Sequence, residues 1–221
     1  GTLSGTLTNA DVGDHSITIT CTDAAGLDVS DTFVLTVVNV NDSPVISSGN
    51  SATVAENTDT STVLYTATAT DIDVGDTISY SLTGTDASKF AIDASTGVVT
   101  LNTAADFETQ SSYSINVVAT DDSGVTATES DTQAVTISVT DVNEAPEVST
   151  PLADISLNQG AVLDENLAAD FDDQDAGDSA VYTLVGAPSS LSMSSAGKLT
   201  GTLINADVGD HSITITCTDA A

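Results

Sequence analysis

The stretch NADVGDHSITITCTDAA stands at residues 9–25 and again at residues 205–221. Carried back, residues 1–25 and 197–221 differ only at Thr2/Lys198, Ser4/Thr200 and Thr8/Ile204, at a constant offset of 196. A repeat of that length is about two sandwich-sized domains. The chain is therefore expected to start late in one domain, cross a whole second one, and stop before the end of a third that copies the first. Two junctions mark the borders. VVNVNDSPV places Pro44, and TDVNEAPEV places Pro146, directly after an alternating strand pattern with Asn and an acid. The expected organisation is residues 1–44 as the C-terminal part of one domain, 45–145 as a complete domain, and 146–221 as an incomplete copy of the first.

The middle region offers seven strand candidates, at 51–56, 62–70, 77–83, 90–93, 97–102, 113–120 and 133–142. Their alternation is good. Val63, Tyr65, Ala67 and Ala69 share a face, as do Ile78, Tyr80 and Leu82; Tyr113, Ile115, Val117 and Ala119; and Val135, Ile137 and Val139. DASTG at 93–97 is a turn between two short strands. No stretch has a helical period. Seven short strands over about 100 residues predict an all-β Greek-key sandwich. An odd strand number enters at one pole and leaves at the other, so tandem Greek-key sandwiches of this kind are expected to stack end to end as a rod.

Charge narrows the function. The chain has 33 acidic residues, two lysines (Lys89 and Lys198) and no arginine, for a formal net charge of −31. Phosphate contacts need Lys or Arg, which excludes a nucleic-acid partner held that way. Anionic membrane surfaces are disfavoured for the same reason, and no apolar run of about 18 residues suggests a span or direct membrane insertion. With 40% hydrophobic residues the chain can still build cores. No signal peptide is visible, and the chain reads as a piece of something longer. Cys21 and Cys217 are one repeat position, each expected on the inward set of SITITCTD as an inert, buried thiol.

The acids recur where strand ends should lie. VAEN carries Glu56, ATDIDVGD carries Asp71, Asp73 and Asp76, DFE carries Asp106 and Glu108, VATDDSG carries Asp121, and the exit carries Asp141, Asn143 and Glu144. The i, i+2 spacing points Asp71 and Asp73, and Asp106 and Glu108, to one side of an extended chain. Two carboxylates ~4 Å apart repel by about 4 kcal/mol at a near-surface effective dielectric. A hard divalent cation reverses that sign. Calcium takes six to eight oxygens of the kind these stretches supply. Magnesium's compact octahedral demand fits worse, and the lack of a Cys/His cluster disfavours zinc.

VAEN, ATDID, DFE, VATD and DVNEAP, in that order over about 100 residues, make the middle domain resemble a cadherin repeat of the type strung along giant bacterial surface adhesins. The flanking segments resemble the dystroglycan-type cadherin-like variant through GTLxGTLxNADVGDHSITIT and FDDQD, and show no clear VAEN or DFE counterpart. The resemblance implies up to three calcium ions per junction. At Pro146 it implies Glu56, Asp106, Glu108, Asp141, Asn143 and Glu144 as ligands, closed by Asp173, Asp175 and Asp219 of the third domain. At Pro44 it implies Asn41 and Asp42 of the linker with Asp71, Asp73 and Asp121. Departures from the family pattern are Asn39 and Glu144 where Asp is usual, and Ala145 where Asn is usual.

The resemblance implies a calcium-rigidified extender or adhesion module of a large bacterial protein, extracellular, at the cell surface or secreted. Its partners would be neighbouring repeats, with homophilic or cell-surface and glycan contacts. Generic acidic surface adaptation explains the number of acids but not their order. Catalysis is not expected, because no reacting constellation can be assembled. His15 and His211 are one repeat position in a DVGDH turn, expected to be solvated. The alternative is a carbohydrate-binding accessory module of a secreted polysaccharide-active protein. With no Trp, only Phe107 and Phe171 are candidate platforms, the other aromatics falling on core positions. Finally, DTFVLTVVNV has a copy only at 31–40. The third domain is therefore expected to show an open sheet edge, which strand 32–40 of another molecule could complete.

Overall fold

The computed structural model describes residues 1–73, 75–122, 129–175, 177 and 179–219. Val74, Ser123, Gly124, Ala176, Asp178 and the last two residues of the second repeat copy lie outside the described residues. The chain is all-β. It divides into two compact units, Gly1–Asp106 with Gln110–Thr140, and Phe107–Thr109 with Asp141–Ala221.

In the first unit, β1 (Gly13–Thr22) and β2 (Asp28–Val37) form an antiparallel hairpin paired along its whole length. Then come β3 (Val45–Ile46), β4 (Ser51–Ala55), β5 (Tyr65–Thr66), β6 (Ala69–Thr70), β7 (Ile78–Thr83), β8 (Phe90–Ile92), β9 (Val98–Leu101), β10 (Ser112–Asp121) and β11 (Ser130–Thr140). One sheet has the order β4-β11-β10-β7, with β4 parallel to β11; a second has β5-β9-β8; β3 pairs with β6. The stretch 62–70, expected as one strand, divides because it changes sheets. Tyr65 and Thr66 pair with β9, Ala67 N–H donates to Gly97 O at 2.9 Å, and Ala69 and Thr70 pair with β3.

The alternation read from the sequence builds the core. Ile115, Val117, Val135 and Ile137 of one sheet, and Val99 and Leu101 of the other, are buried, and Phe90 meets Tyr113 edge-on at 5.3 Å. Each such side chain contributes about 1.5–3 kcal/mol by leaving water. Asp121 continues the inward set of β10 beyond Ala119 and is itself 2% exposed. A carboxylate at the end of a core stripe is where burial and charge collide.

The second unit repeats the plan with β12 (Glu147–Val148), β13 (Val162–Asn166), β14 (Phe171–Asp172), β15 (Val181–Val185), β16 (Leu191–Met193), β17 (Lys198–Thr202) and β18 (Thr214–Thr218). The sheets are β12-β14, β13-β17-β16 and β15-β18. They match β3-β6, β5-β9-β8 and β7-β10 of the first unit. Leu163, Leu199 and Tyr182 form the centre of its core.

Two expectations of burial are corrected. Cys21 is exposed and Cys217 half-buried, and Phe33, expected in the core, is 43% exposed. For Cys21 and Phe33 the cause is shared: among the described residues β1 and β2 pair only with each other, and Ile19 and Val29 on the same face are exposed as well.

Candidate metal centres

At the first linker the site is built by three local devices. After β6 the chain bends at Ile72 and Asp73, and across the bend Asp73 N–H donates to Asp71 Oδ1 at 2.8 Å, an Asx turn that leaves the two carboxylates within 4.8 Å of each other. The linker after β2 lies across them: Asp42 N–H donates to Asp73 Oδ2 at 2.7 Å, and Asn41 Nδ2 to Asp121 Oδ2 at 2.8 Å. Asp121 Oδ1 accepts Glu129 N–H at 3.0 Å. Asn9 Nδ2 reaches Asp42 Oδ2 at 2.7 Å and Asp73 Oδ1 at 3.2 Å.

The structure thus brings together Asn41, Asp42, Asp71, Asp73 and Asp121, all five residues expected there. It adds two. Asp76 completes a group with Asp71 and Asp73 whose carboxylate oxygens lie within 4.8 Å of one another. Asn9 was not legible as a participant. The signal for it was the T-x-A-D text of Thr8–Asp11, which stands before β1 as Thr103–Asp106 stands before β10.

The electrostatics are unbalanced. Asp73 is 7% exposed and Asp121 2% exposed. Burial, then the charges of Asp73, Asp71, Asp121 and Asp122, hold the Asp76 carboxyl above the usual carboxylate range. Neither lysine compensates. Lys198 pairs with Asp164 at 2.8 Å, and Lys89 acts on Asp86. Asp71 Oδ2 and Asp76 Oδ2 are buried without a hydrogen-bond donor among the described residues. Buried acceptors normally have partners, and carboxylates gathered without a cation repel. Hard oxygens only, several of them carboxylate, with unfilled acceptor capacity, fit a calcium ion.

The second unit repeats three of these hydrogen bonds. Asn143 Nδ2 donates to Asp219 Oδ2 at 3.1 Å, Glu144 N–H to Asp175 Oδ2 at 2.7 Å, and Asp175 N–H to Asp173 Oδ1 at 3.1 Å. Asp175 is 8% exposed, with its Oδ1 buried and unpartnered among the described residues. Within this unit the carboxylates of Glu108 and Asp141 also approach within 4.8 Å. In the first unit Glu56 follows β4 and is 4% exposed, and Asp106 is half-buried.

The NADVGDH turn is built alike in both copies. Asp11 Oδ2 accepts Thr8 N–H at 2.8 Å and Asp207 Oδ2 accepts Ile204 N–H at 2.7 Å. The Thr8 N–H lowers the Asp11 carboxyl, and the Ser190 hydroxyl, donating at 2.6 Å, together with the Ile204 N–H lowers that of Asp207. His15 and His211 are exposed, each against a backbone carbonyl of its own turn. Of the platform candidates, Phe171 is half-buried with its ring edge-on to Tyr182 at 5.6 Å, and Phe107 is half-buried.

Residues 50–140 match the cadherin domain family. Residues 145–221 match a second family, described as a putative Ig domain. Protocadherin Fat 1 of Homo sapiens is 34% identical over 147 residues, covering 64% of this chain and 3% of its own length. Protocadherin-like wing polarity protein stan of Drosophila melanogaster is 33% identical over 158 residues, covering 66% and 4%. The chain therefore spans only a few per cent of these relatives. Among solved structures, mouse Cadherin-23 EC22-24 superposes with a TM-score of 0.67 at 24% identity, over 97% of this chain and 72% of that one. Protocadherin gammaB7 EC3-6, solved as a cis-dimer, gives 0.61 at 22%, over 97% and 60%. These likenesses support the cadherin-type tandem sandwich fold. Among the described residues no helix is long and apolar enough to cross a membrane.

Proposed function

We propose that this chain is a calcium-rigidified extender and adhesion segment of a larger extracellular protein, non-enzymatic, with calcium as its resident ion. The observation that carries this is the repeated cage: Asn41–Asp121, Asp42–Asp73 and Asp73–Asp71 recur as Asn143–Asp219, Glu144–Asp175 and Asp175–Asp173. Two linkers of different sequence converge on one geometry that leaves carboxylate oxygens unfilled. We assign Asn41, Asp42, Asp71, Asp73, Asp76 and Asp121 to the site at Pro44. We assign Glu56, Asp106, Glu108, Asp141, Asn143, Glu144, Asp173, Asp175 and Asp219 to the site at Pro146. The domains are 1–44, 45–145 and 146–221, and the context is a bacterial cell-surface or secreted adhesin.

When bound, the ion supplies charge neutralisation and a set of fixed coordination directions. The chain's own residues do the rest. Backbone N–H groups of Asp42, Glu144, Asp73 and Asp175 orient the carboxylates, and the Asn41 and Asn143 amides hold Asp121 and Asp219. A ligand at ~100 times its dissociation constant adds about 2.7 kcal/mol per site to the ordered state. Extracellular calcium modules bind at ~0.1–1 mM. The linkers would thus be loose in calcium-poor surroundings and stiff outside the cell.

The test is a thermal melt in millimolar calcium and in chelator, on the wild type and Glu108→Ala. A large calcium-dependent rise that the substitution reduces is expected. Equal rises with magnesium or plain salt, unaffected by the substitution, would leave the fold standing without the calcium role.

A further inference from the structure

Asn9 opens the turn that precedes β1, and the turn aims its side chain. Asp11 N–H donates to Thr8 O at 2.9 Å and Val12 N–H to Asn9 O at 3.3 Å. The Asp11 carboxylate closes the same turn, its Oδ2 accepting the Thr8 N–H at 2.8 Å and the Thr8 hydroxyl at 2.9 Å. Asp11 is the acid that the T-x-A-D text sets level with Asp106. Here it is occupied by Thr8, and the side chain that this turn sends to the first linker is a neutral amide.

Asn9 Nδ2 bridges two carboxylates, Asp42 Oδ2 of the linker at 2.7 Å and Asp73 Oδ1 after β6 at 3.2 Å. One side chain thus ties together the segment before β1, the linker and the turn after β6. A primary amide has two N–H donors, one for each oxygen. Donors set between carboxylates that repel do part of the work of a cation. The demand exceeds what one amide can meet. Asp71 Oδ2 and Asp76 Oδ2, in the same group as Asp73, are buried without a donor among the described residues.

We propose that Asn9 is a calcium ligand of the site at Pro44 and the residue that sets its preference for calcium over magnesium. This rests on the calcium reading above. The amide suits both states of the site. Its terminal torsion is broad and roughly two-fold. Half a turn about that bond, with the backbone fixed, withdraws Nδ2 and presents Oδ1, a hard neutral oxygen of the kind calcium accepts. Calcium takes six to eight oxygens in flexible geometry, whereas magnesium takes six in a compact octahedron and keeps several waters. One more oxygen, on a side chain free to rotate, therefore favours calcium. Magnesium replaces it with a water it would keep in any case.

The test uses the full chain. Calorimetric titrations with calcium and with magnesium compare the wild type with Asn9→Ala and Asn205→Ala, and Asp73→Asn marks the binding step that belongs to this linker by weakening it. Asn205 heads the same turn in the second copy and is exposed, so its variant controls for the turn. Losing the Nδ2 bonds changes the ion-free protein and shifts the affinity for both ions alike. The calcium-to-magnesium ratio cancels that contribution and reports the oxygen. Asn9→Ala is expected to lower the ratio about tenfold, and Asn205→Ala to leave it unchanged. Asn9→Asp, which adds charge and removes the donors, should melt below the wild type in chelator and bind calcium at least as tightly. A crystal structure grown in millimolar calcium should show Asn9 Oδ1 about 2.3–2.6 Å from an ion. An ion held at this linker without Asn9, or an unchanged ratio in Asn9→Ala, would overturn the proposal and leave the calcium reading standing. A wild type that takes up no calcium would overturn both.

Discussion

At the scale of single residues, Asp73 shows how this protein balances burial against charge. It is nearly inaccessible, it accepts from the linker backbone and from Asn9, and it lies within 4.8 Å of two other carboxylates. Asp73→Asn removes charge while keeping an acceptor. In chelator its melting temperature should equal or exceed that of the wild type. In calcium its titration midpoint should rise by at least about tenfold, the usual minimum for damage to a metal shell. Melts in chelator, with calorimetric calcium titration, check both signs. Asp93 is the opposite kind of acid. Its carboxylate takes the Thr96 and Ser95 N–H groups of the DASTG turn at 2.8 and 2.9 Å, which lowers its pKa. A depressed folded value contributes stability that is complete above the ordinary Asp pKa of about 4 and is lost as pH falls through the folded one. Wild type and Asp93→Asn should therefore differ in urea midpoint at pH 7 and converge near pH 2–3.

At the scale of elements, the same turn closes β8 onto β9 through Gly97. Its φ is +69°, and a Cβ there would stand 2.4 Å from the Ala67 carbonyl, whose residue donates its N–H to Gly97 O. Gly97→Ala should cost about 1–3 kcal/mol in urea unfolding, since strain and contact act together. Ile137, fully buried on β11, should cost about 2–5 kcal/mol on replacement by Ala. The strands were legible because period-two alternation records which side is buried. The break of 62–70 into two strands was not, because changing sheets at Ala67 leaves the pattern of side chains unaltered. Ile17, Ile19 and Cys21 of β1 do share one face, but that face was expected inward, against a core the hairpin alone does not possess: Cys21 is exposed, Ile19 is 55% exposed and Phe33 43%. At the linkers, Asn41, Asp42, Asp71, Asp73 and Asp121 were legible from motif order. Asn9 was not, because an amide before a strand is ordinary turn chemistry until tertiary contact places it.

At the scale of the whole molecule, a net charge of −31 predicts two electrostatic responses that one experiment separates. Diffuse repulsion among exposed acids depends on ionic strength alone, with a Debye length of about 10 Å at 0.1 M falling to about 3 Å at 1 M. Repulsion inside the cages acts over less than 5 Å among buried groups, and salt screens it far less. Sodium chloride should therefore raise the melting temperature gradually across the molar range. Calcium should raise it at a few millimolar, where its contribution to ionic strength is only about 10 mM and the Debye length barely moves. The increments should also be nearly additive, since they act on different acids. A calcium step that survives in 1 M sodium chloride, measured by the melting temperature at fixed protein concentration, assigns the ion to the cages. A step that vanishes at high salt assigns it to the diffuse surface, and the convergence of the two linkers on one geometry would then have no ion to explain it.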